Sequence, residues 1–158
     1  MILNSRLLLP VIVAVCVGCS TSERKVSLDI LTGPTLSGKP FDGDNAAGMV
    51  VVLEFFAEYC LPCERSLPIF EELNHEYDTI WFIGVSVDDL PSDARKMVER
   101  TNITFPVIHD DGRLKNRFSV VEIPTTIVID ASGVIRWVNV GGDGTTRAEL
   151  IDVLDQLR

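Results

Sequence analysis

A chain of 158 residues with 46% apolar content has room for one globular domain and a short appendage, and none for a second domain. Its 23 acidic residues outnumber 14 basic ones, giving a formal charge of −9, and no basic run could track a phosphate backbone, so nucleic acid is not an expected partner. The four cysteines form two close pairs, Cys16 with Cys19 and Cys60 with Cys63, where a structural disulfide framework would spread them more widely.

The chain opens on a single early charge, Arg6, then an apolar run from Leu7 to Val17 broken only by Pro10, then Gly18-Cys19-Ser20-Thr21-Ser22. That order is a positive n-region, an h-region and a small-residue cleavage site, so a secretory signal is expected. The run is about 11 residues against the roughly 20 that a membrane-crossing helix needs, which makes a stable transmembrane anchor the weaker reading. Cys16-Val17-Gly18-Cys19 resembles a bacterial lipobox with Cys16 in place of the usual leucine. The resemblance implies cleavage after Gly18 and a lipid on Cys19; a cleaved soluble protein and an uncleaved signal anchor are the other readings. The expected organisation is a leader over 1–18, a small polar tether over 19–25 and a domain over 26–158. Losing the leader removes one basic residue and no acid, so the exported chain is more acidic still.

Val26 to Asp44 alternates short apolar pieces with Gly33-Pro34, Gly38-Lys39-Pro40 and Asp42-Gly43, which read as turns in a small N-terminal hairpin. Met49 to Phe56 is a nearly continuous apolar run, the pattern of a central strand covered on both faces, with Glu54 as its anomaly. From Pro62 to Tyr77, Leu67, Phe70, Leu73 and Tyr77 recur at helical spacing with acids between them, and Pro68 should bend that helix. Ile80 to Val87 reads as a second buried strand, Pro91 to Arg100 as a second helix, and Leu114 to Phe118 as a short third one. Thr125 to Ile129 and Val134 to Val140 are β-rich runs joined by Asp130-Ala131-Ser132-Gly133, suited to an antiparallel hairpin, so the sheet is mixed. Thr146-Arg147-Ala148-Glu149 is a capping-box pattern opening a last helix whose Leu150, Val153, Leu154 and Leu157 share a face.

The chemistry is read from Cys60-Leu61-Pro62-Cys63. Two cysteines three positions apart at a helix start bring their sulfurs within reach of disulfide geometry. The first also faces unpaired N–H groups and the positive end of the helix dipole, which favour its thiolate. Cys60 is therefore the expected nucleophile, forming a mixed disulfide with a partner, and Cys63 the resolving thiol that closes the internal bridge. Pro62 offers the thiolate no N–H and should alter the redox potential. Glu54, six residues before Cys60 in an apolar strand, would be desolvated and held protonated near neutral pH, able to exchange a proton with Cys63; the alternative is a carboxylate pointing to solvent at a strand end. Zinc wants four ligands and only His75 and His109 lie outside the pair, so no metal or other cofactor is expected, and neither histidine is assigned a role.

Phe55-Phe56-Ala57-Glu58-Tyr59-Cys60-Leu61-Pro62-Cys63 and the later Glu122-Ile123-Pro124-Thr125-Thr126 resemble the thioredoxin superfamily. Thr104-Phe105-Pro106-Val107, Asp110-Asp111-Gly112-Arg113 and Asp130-Ala131-Ser132-Gly133 bring the likeness closer to its TlpA/ResA-like branch. The resemblance implies an α/β thioredoxin fold, a central mixed sheet flanked by helices, extended here by the short N-terminal hairpin. It implies a cis peptide before Pro124, with Tyr59, Pro62, Ile123 and Pro124 lining the surface that binds a partner's extended chain, and an acid beneath the second cysteine at Glu54. Tyr59 replaces the usual tryptophan, and Ile80 to Val87 lacks the lysine that often accompanies the acid.

The function so implied is extracytoplasmic, on the periplasmic side in a Gram-negative cell: a membrane-tethered reductase of client disulfides, the haem-attachment cysteines of apocytochrome c among them. With no second apolar span or nucleotide fingerprint to supply electrons, a membrane thiol-electron donor is an expected partner; a monomer is the default. A net oxidase or isomerase would use the same motif. A Sco-like copper-binding protein would expect wider cysteine spacing. A peroxiredoxin would expect Pro-x-x-x-Thr-x-x-Cys, which Phe56 to Cys63 does not contain.

Overall fold

The structure is a computed structural model that describes residues 23–141 and 146–158. The leader, Cys16, Cys19 and the first part of the expected tether lie outside the described residues, as does the side chain of Thr146 on which the capping box depends. Among the described residues no helix is long and apolar enough to cross a membrane.

Two short strands, β1 (Gly33–Pro34) and β2 (Pro40–Phe41), pair antiparallel as the expected hairpin, with one-turn 3₁₀ helices at Leu28–Ile30 and Gly43–Ala46 on either side. The main sheet has the order β5-β4-β3-β6-β7. Its members are β3 (Val50–Phe56), β4 (Ile80–Ser86), β5 (Val107–His109), β6 (Thr125–Ile129) and β7 (Ile135–Val140). β3, β4 and β5 run parallel, while β6 and β7 are antiparallel to their neighbours. The helices are α1 (Leu61–Glu76), α2 (Pro91–Thr101), α3 (Arg113–Phe118) and α4 (Thr146–Leu157). β5 was not anticipated as a strand; three residues are too few to show a period.

Every residue of β3 is buried, so alternate side chains feed two cores. Val50, Val52 and Phe56 pack with Leu67, Phe70 and Leu73 of α1, Met97 of α2 and Leu150 and Leu154 of α4. Val51, Leu53 and Phe55 face Leu28, Leu31 and Phe41 of the N-terminal segment and Leu114 and Phe118 of α3. Each fully buried side chain of this size contributes about 1.5–3 kcal/mol, and these two layers hold the strand at the centre of the molecule. α1 continues through Pro68 to Glu76.

Gly84 on β4 fits a crowded position: a Cβ there would lie 3.0 Å from side-chain atoms of both Phe56 and Val107. Glu23 to Lys25, expected as the end of a tether, are joined to the domain. Glu23 pairs with Arg136 at 2.9 Å, the Arg24 carbonyl accepts the Ile135 N–H and Lys25 bridges Val134.

Candidate active site

The parallel strands β3 and β4 end, and the antiparallel β6 begins, on one side of the sheet: Phe56 pairs with Ser86, and Phe55 with Thr125. The loops 57–60, 87–90 and 121–124 therefore meet at that end. Cys60 is the N-cap of α1 in extended conformation, and its sulfur accepts the Cys63 N–H at 3.2 Å. Pro62 sits in the first turn, where its missing N–H costs nothing. Cys60 and Cys63 are joined as a disulfide with Cα atoms 5.2 Å apart. Cys63 is wholly buried and Cys60 nearly so.

Glu54 projects from β3 between Val52 and Phe56, into the layer beneath α1, and is 1% exposed. The solvent-facing alternative is thereby excluded. Its Oε1 accepts the Ser66 hydroxyl at 2.9 Å and its Oε2 the Thr126 hydroxyl at 2.7 Å. The same Ser66 oxygen lies 3.2 Å from the Cys63 carbonyl, so one residue links the acid to the turn that carries the inner cysteine. Burial lifts the Glu54 carboxyl from 4.5 to about 7, the hydroxyls of Thr126 and Ser66 pulling it only partly back. Opposite Glu54 on β4 stands Gly84, so no cation is supplied from that strand. Ser66 and Thr126 were not singled out as partners of the acid. Ser66 is three positions beyond Cys63, a spacing that could have marked it; Thr126 reaches Glu54 only through the β3–β6 register.

The Ile123–Pro124 peptide is cis, as expected. Ile123 is half-buried against both cores, Tyr59 is 73% exposed beside Cys60, and Pro62 is half-buried. His75 is an exposed partner of Glu71 at 3.0 Å, and His109 at the end of β5 has Nε2 2.8 Å from the Asp88 carbonyl. Neither approaches the cysteine pair by any contact in the structure.

The fold and a Cys-x-x-Cys disulfide capping its first long helix define a thiol-disulfide oxidoreductase of the thioredoxin fold. Residues 27–138 match the AhpC/TSA family, and the chain belongs to it. It is 32% identical over 125 residues to the thioredoxin-like protein YneN of Bacillus subtilis, covering 77% of this chain and 72% of that one. It is 32% identical over 110 residues to the thiol-disulfide oxidoreductase ResA of Halalkalibacterium halodurans, covering 68% of this chain; the match spans 62% of that relative's length. The crystal structure of a thiol:disulfide interchange protein of the thioredoxin family from Chlorobium tepidum superposes with a TM-score of 0.72 at 26% identity, over 80% of this chain and 91% of the other. Membership of the family brings no peroxidase motif with it, because the residues before Cys60 and Cys63 lack the Pro-x-x-x-Thr-x-x-Cys pattern.

Proposed function

We propose that the chain is an extracytoplasmic, lipid-anchored reductase of client-protein disulfides. The Cys60 thiolate attacks one sulfur of the client disulfide and releases the other as a thiolate, leaving a mixed disulfide. Cys63 then loses its proton to Glu54 and attacks the Cys60 sulfur, which releases the second client sulfur as a thiolate and forms the Cys60–Cys63 bridge. Two electrons pass to the client, and a membrane thiol-electron donor must return them by the reverse exchange. The observation that carries this reading is the buried Glu54, held by Ser66 next to the Cys63 turn and raised to about 7, near the pH at which a proton must be taken up and returned.

The surface around the disulfide suits an extended apolar client segment. Among the described residues, six large apolar side chains are well exposed, and four of them lie at the redox end: Tyr59, Leu90 and Val121 in its three loops and Leu61 as the first residue of α1. A fifth, Val140, pairs with Thr125 beside the cis peptide. Tyr59, Pro62, Ile123 and Pro124 are the residues assigned to client contact, and the haem-attachment cysteines of apocytochrome c are the client implied by family likeness. The anchor is assigned to Cys19. Lys25 and Val26 join the fold at Val134 and Gly133, beyond the end of β6 remote from the cysteines, so a short tether there would turn the disulfide away from the bilayer.

Equilibration of the protein with dithiothreitol or glutathione buffers, followed by alkylation and mass shift at Cys60 and Cys63, tests the direction. A potential well below the roughly −180 mV of protein disulfide isomerase is expected; one near the roughly −120 mV of the oxidant DsbA would reverse the assignment to disulfide insertion.

A further inference from the structure

In the sequence Cys60 stands between two acidic residues. Glu58 lies two residues before it, and Glu64 lies in the first turn of α1. The N-terminal end of the helix favours a thiolate on Cys60, while each of these acids opposes one. A single guanidinium from α2 meets both. Arg100 Nη1 donates to Glu58 Oε1 at 2.7 Å and Nη2 to the Glu58 carbonyl at 3.1 Å, and Nη2 lies 3.5 Å from Glu64 Oε2. From the other side the Glu58 N–H donates to Asp88 Oδ1 at 2.9 Å, and Asp88 Oδ2 accepts the Ser86 hydroxyl at 2.9 Å. The residue two before the nucleophile is thus fixed at its N–H, its carbonyl and its carboxylate by elements distant in sequence. Ion pairs this exposed contribute little to stability, which leaves loop position and local charge as the properties Arg100 can change.

We propose that Arg100 is a positioning residue for Cys60: it neutralises Glu58 and Glu64 and holds the Glu58 carbonyl, so that Cys60 stays ionised and correctly aimed at neutral pH. The inference rests on Cys60 being the attacking thiol. The other charged groups on β3, the start of α1, α2 and the neighbouring loops are Glu54, Arg65, Asp88, Asp89, Asp93, Arg95, Lys96, Glu99 and Glu122. Lys96, held by Asp93 at 2.7 Å, attracts Glu58 through space and so adds to its neutralisation without making the hydrogen bonds that Arg100 makes.

The test is the pH dependence of iodoacetamide alkylation in the reduced full-length chain carrying Cys63→Ser, read on the peptide that contains Cys60. Arg100→Met is expected to raise the alkylation midpoint by about 0.5–1 unit and to slow reaction at pH 6 roughly three- to tenfold, with little change at pH 10. Arg100→Lys should recover most of the shift. Adding Glu58→Gln and Glu64→Gln to Arg100→Met should return the midpoint to its original value. An unchanged midpoint in Arg100→Met, or a shift that survives removal of both acids, overturns the proposal. If Arg100→Met does not fold, Glu58→Gln with Glu64→Gln beside the native Arg100 should lower the midpoint, and no change there is equally fatal. The assignment of the nucleophile fails separately, if the unsubstituted reduced chain is labelled at Cys63 before Cys60.

Discussion

Glu54 and Asp130 are both carboxylates that solvent hardly touches, 1% and 8% exposed, and both belong to the two central strands or their ends. Their surroundings drive them in opposite directions. Glu54 receives two hydroxyl hydrogen bonds and has no cation in contact. Asp130 Oδ1 accepts the Ser132 N–H, the Ser132 hydroxyl and the Val134 N–H, and its Oδ2 accepts from Arg136. Burial alone would lift both groups. At Asp130 the donors from Ser132, Val134 and Arg136 outweigh it and hold the carboxyl well below the usual carboxylate range, whereas at Glu54 two hydroxyls do not suffice. Burial creates the tension; the number and charge of the donors decide whether the acid is a proton store or a structural knot.

Replacing Glu54 by Gln should separate these roles most sharply. Without a carboxylate to take the Cys63 proton, resolution of the mixed disulfide at pH 7 should slow by about 10²-fold in stopped-flow measurements, the lower end of general-base effects. Stability should move the other way. The folded chain retains a proton on Glu54 that the unfolded chain releases, so the burial of this acid costs stability that grows as pH rises from 4.5 to about 7 and is constant above. Denaturant titration should therefore find Glu54→Gln more stable by up to about 3 kcal/mol at pH 8 and unchanged near pH 4. Loss of stability at pH 8 would mean that the carboxylate is a structural acceptor like Asp130.

At Asp130 the sign reverses. Its folded value is depressed, so its contribution is complete above the unfolded value of 3.8 and disappears as pH falls through the lower folded value. Asp130→Asn should cost about 2 kcal/mol at pH 7, since it weakens the bonds of two backbone N–H groups and of Arg136, and the difference should shrink in acid. Thiol exchange rates should be unaffected, because the Asp130 turn lies at the end of the sheet remote from Cys60.

The cysteine pair, the acid before it and the amphipathic helix after it were legible in the sequence because their signals are local: a spacing of three, a charge in an apolar run, a helical period. The bounds of β3, β4, α1, α2 and β6 fall within one or two residues of those expected for the same reason. What could not be read was who answers whom. Thr126 is 72 residues from Glu54 and reaches it only because β6 pairs antiparallel with β3, and Arg100 is 42 residues from Glu58. A polar residue on an amphipathic helix reads as solvated, so the spacing of three from Cys63 was the one local mark on Ser66, and its contact with Glu54 showed only once the helix was laid over that strand. The likeness to thioredoxins did carry one non-local feature, the cis peptide before Pro124, which no periodicity would have disclosed.

Ser66→Ala is the finest test of the contrast, because it removes one of the two donors and leaves the carboxyl and Thr126 in place. The Ser66 hydroxyl has a single hydrogen and two acceptors in range, Glu54 Oε1 at 2.9 Å and the Cys63 carbonyl at 3.2 Å. When Glu54 ionises, the carboxylate is the stronger acceptor and takes the bond, so Ser66 stabilises the charged acid more than the neutral one. Its loss should raise Glu54 further and move the pH midpoint of mixed-disulfide resolution upward by about 0.5 unit, with the plateau rate in alkali preserved. The stability change should stay within about 1 kcal/mol. A uniform fall in rate at every pH would instead assign Ser66 to holding the Cys63 carbonyl, and the proton affinity of Glu54 would then depend on burial and Thr126 alone.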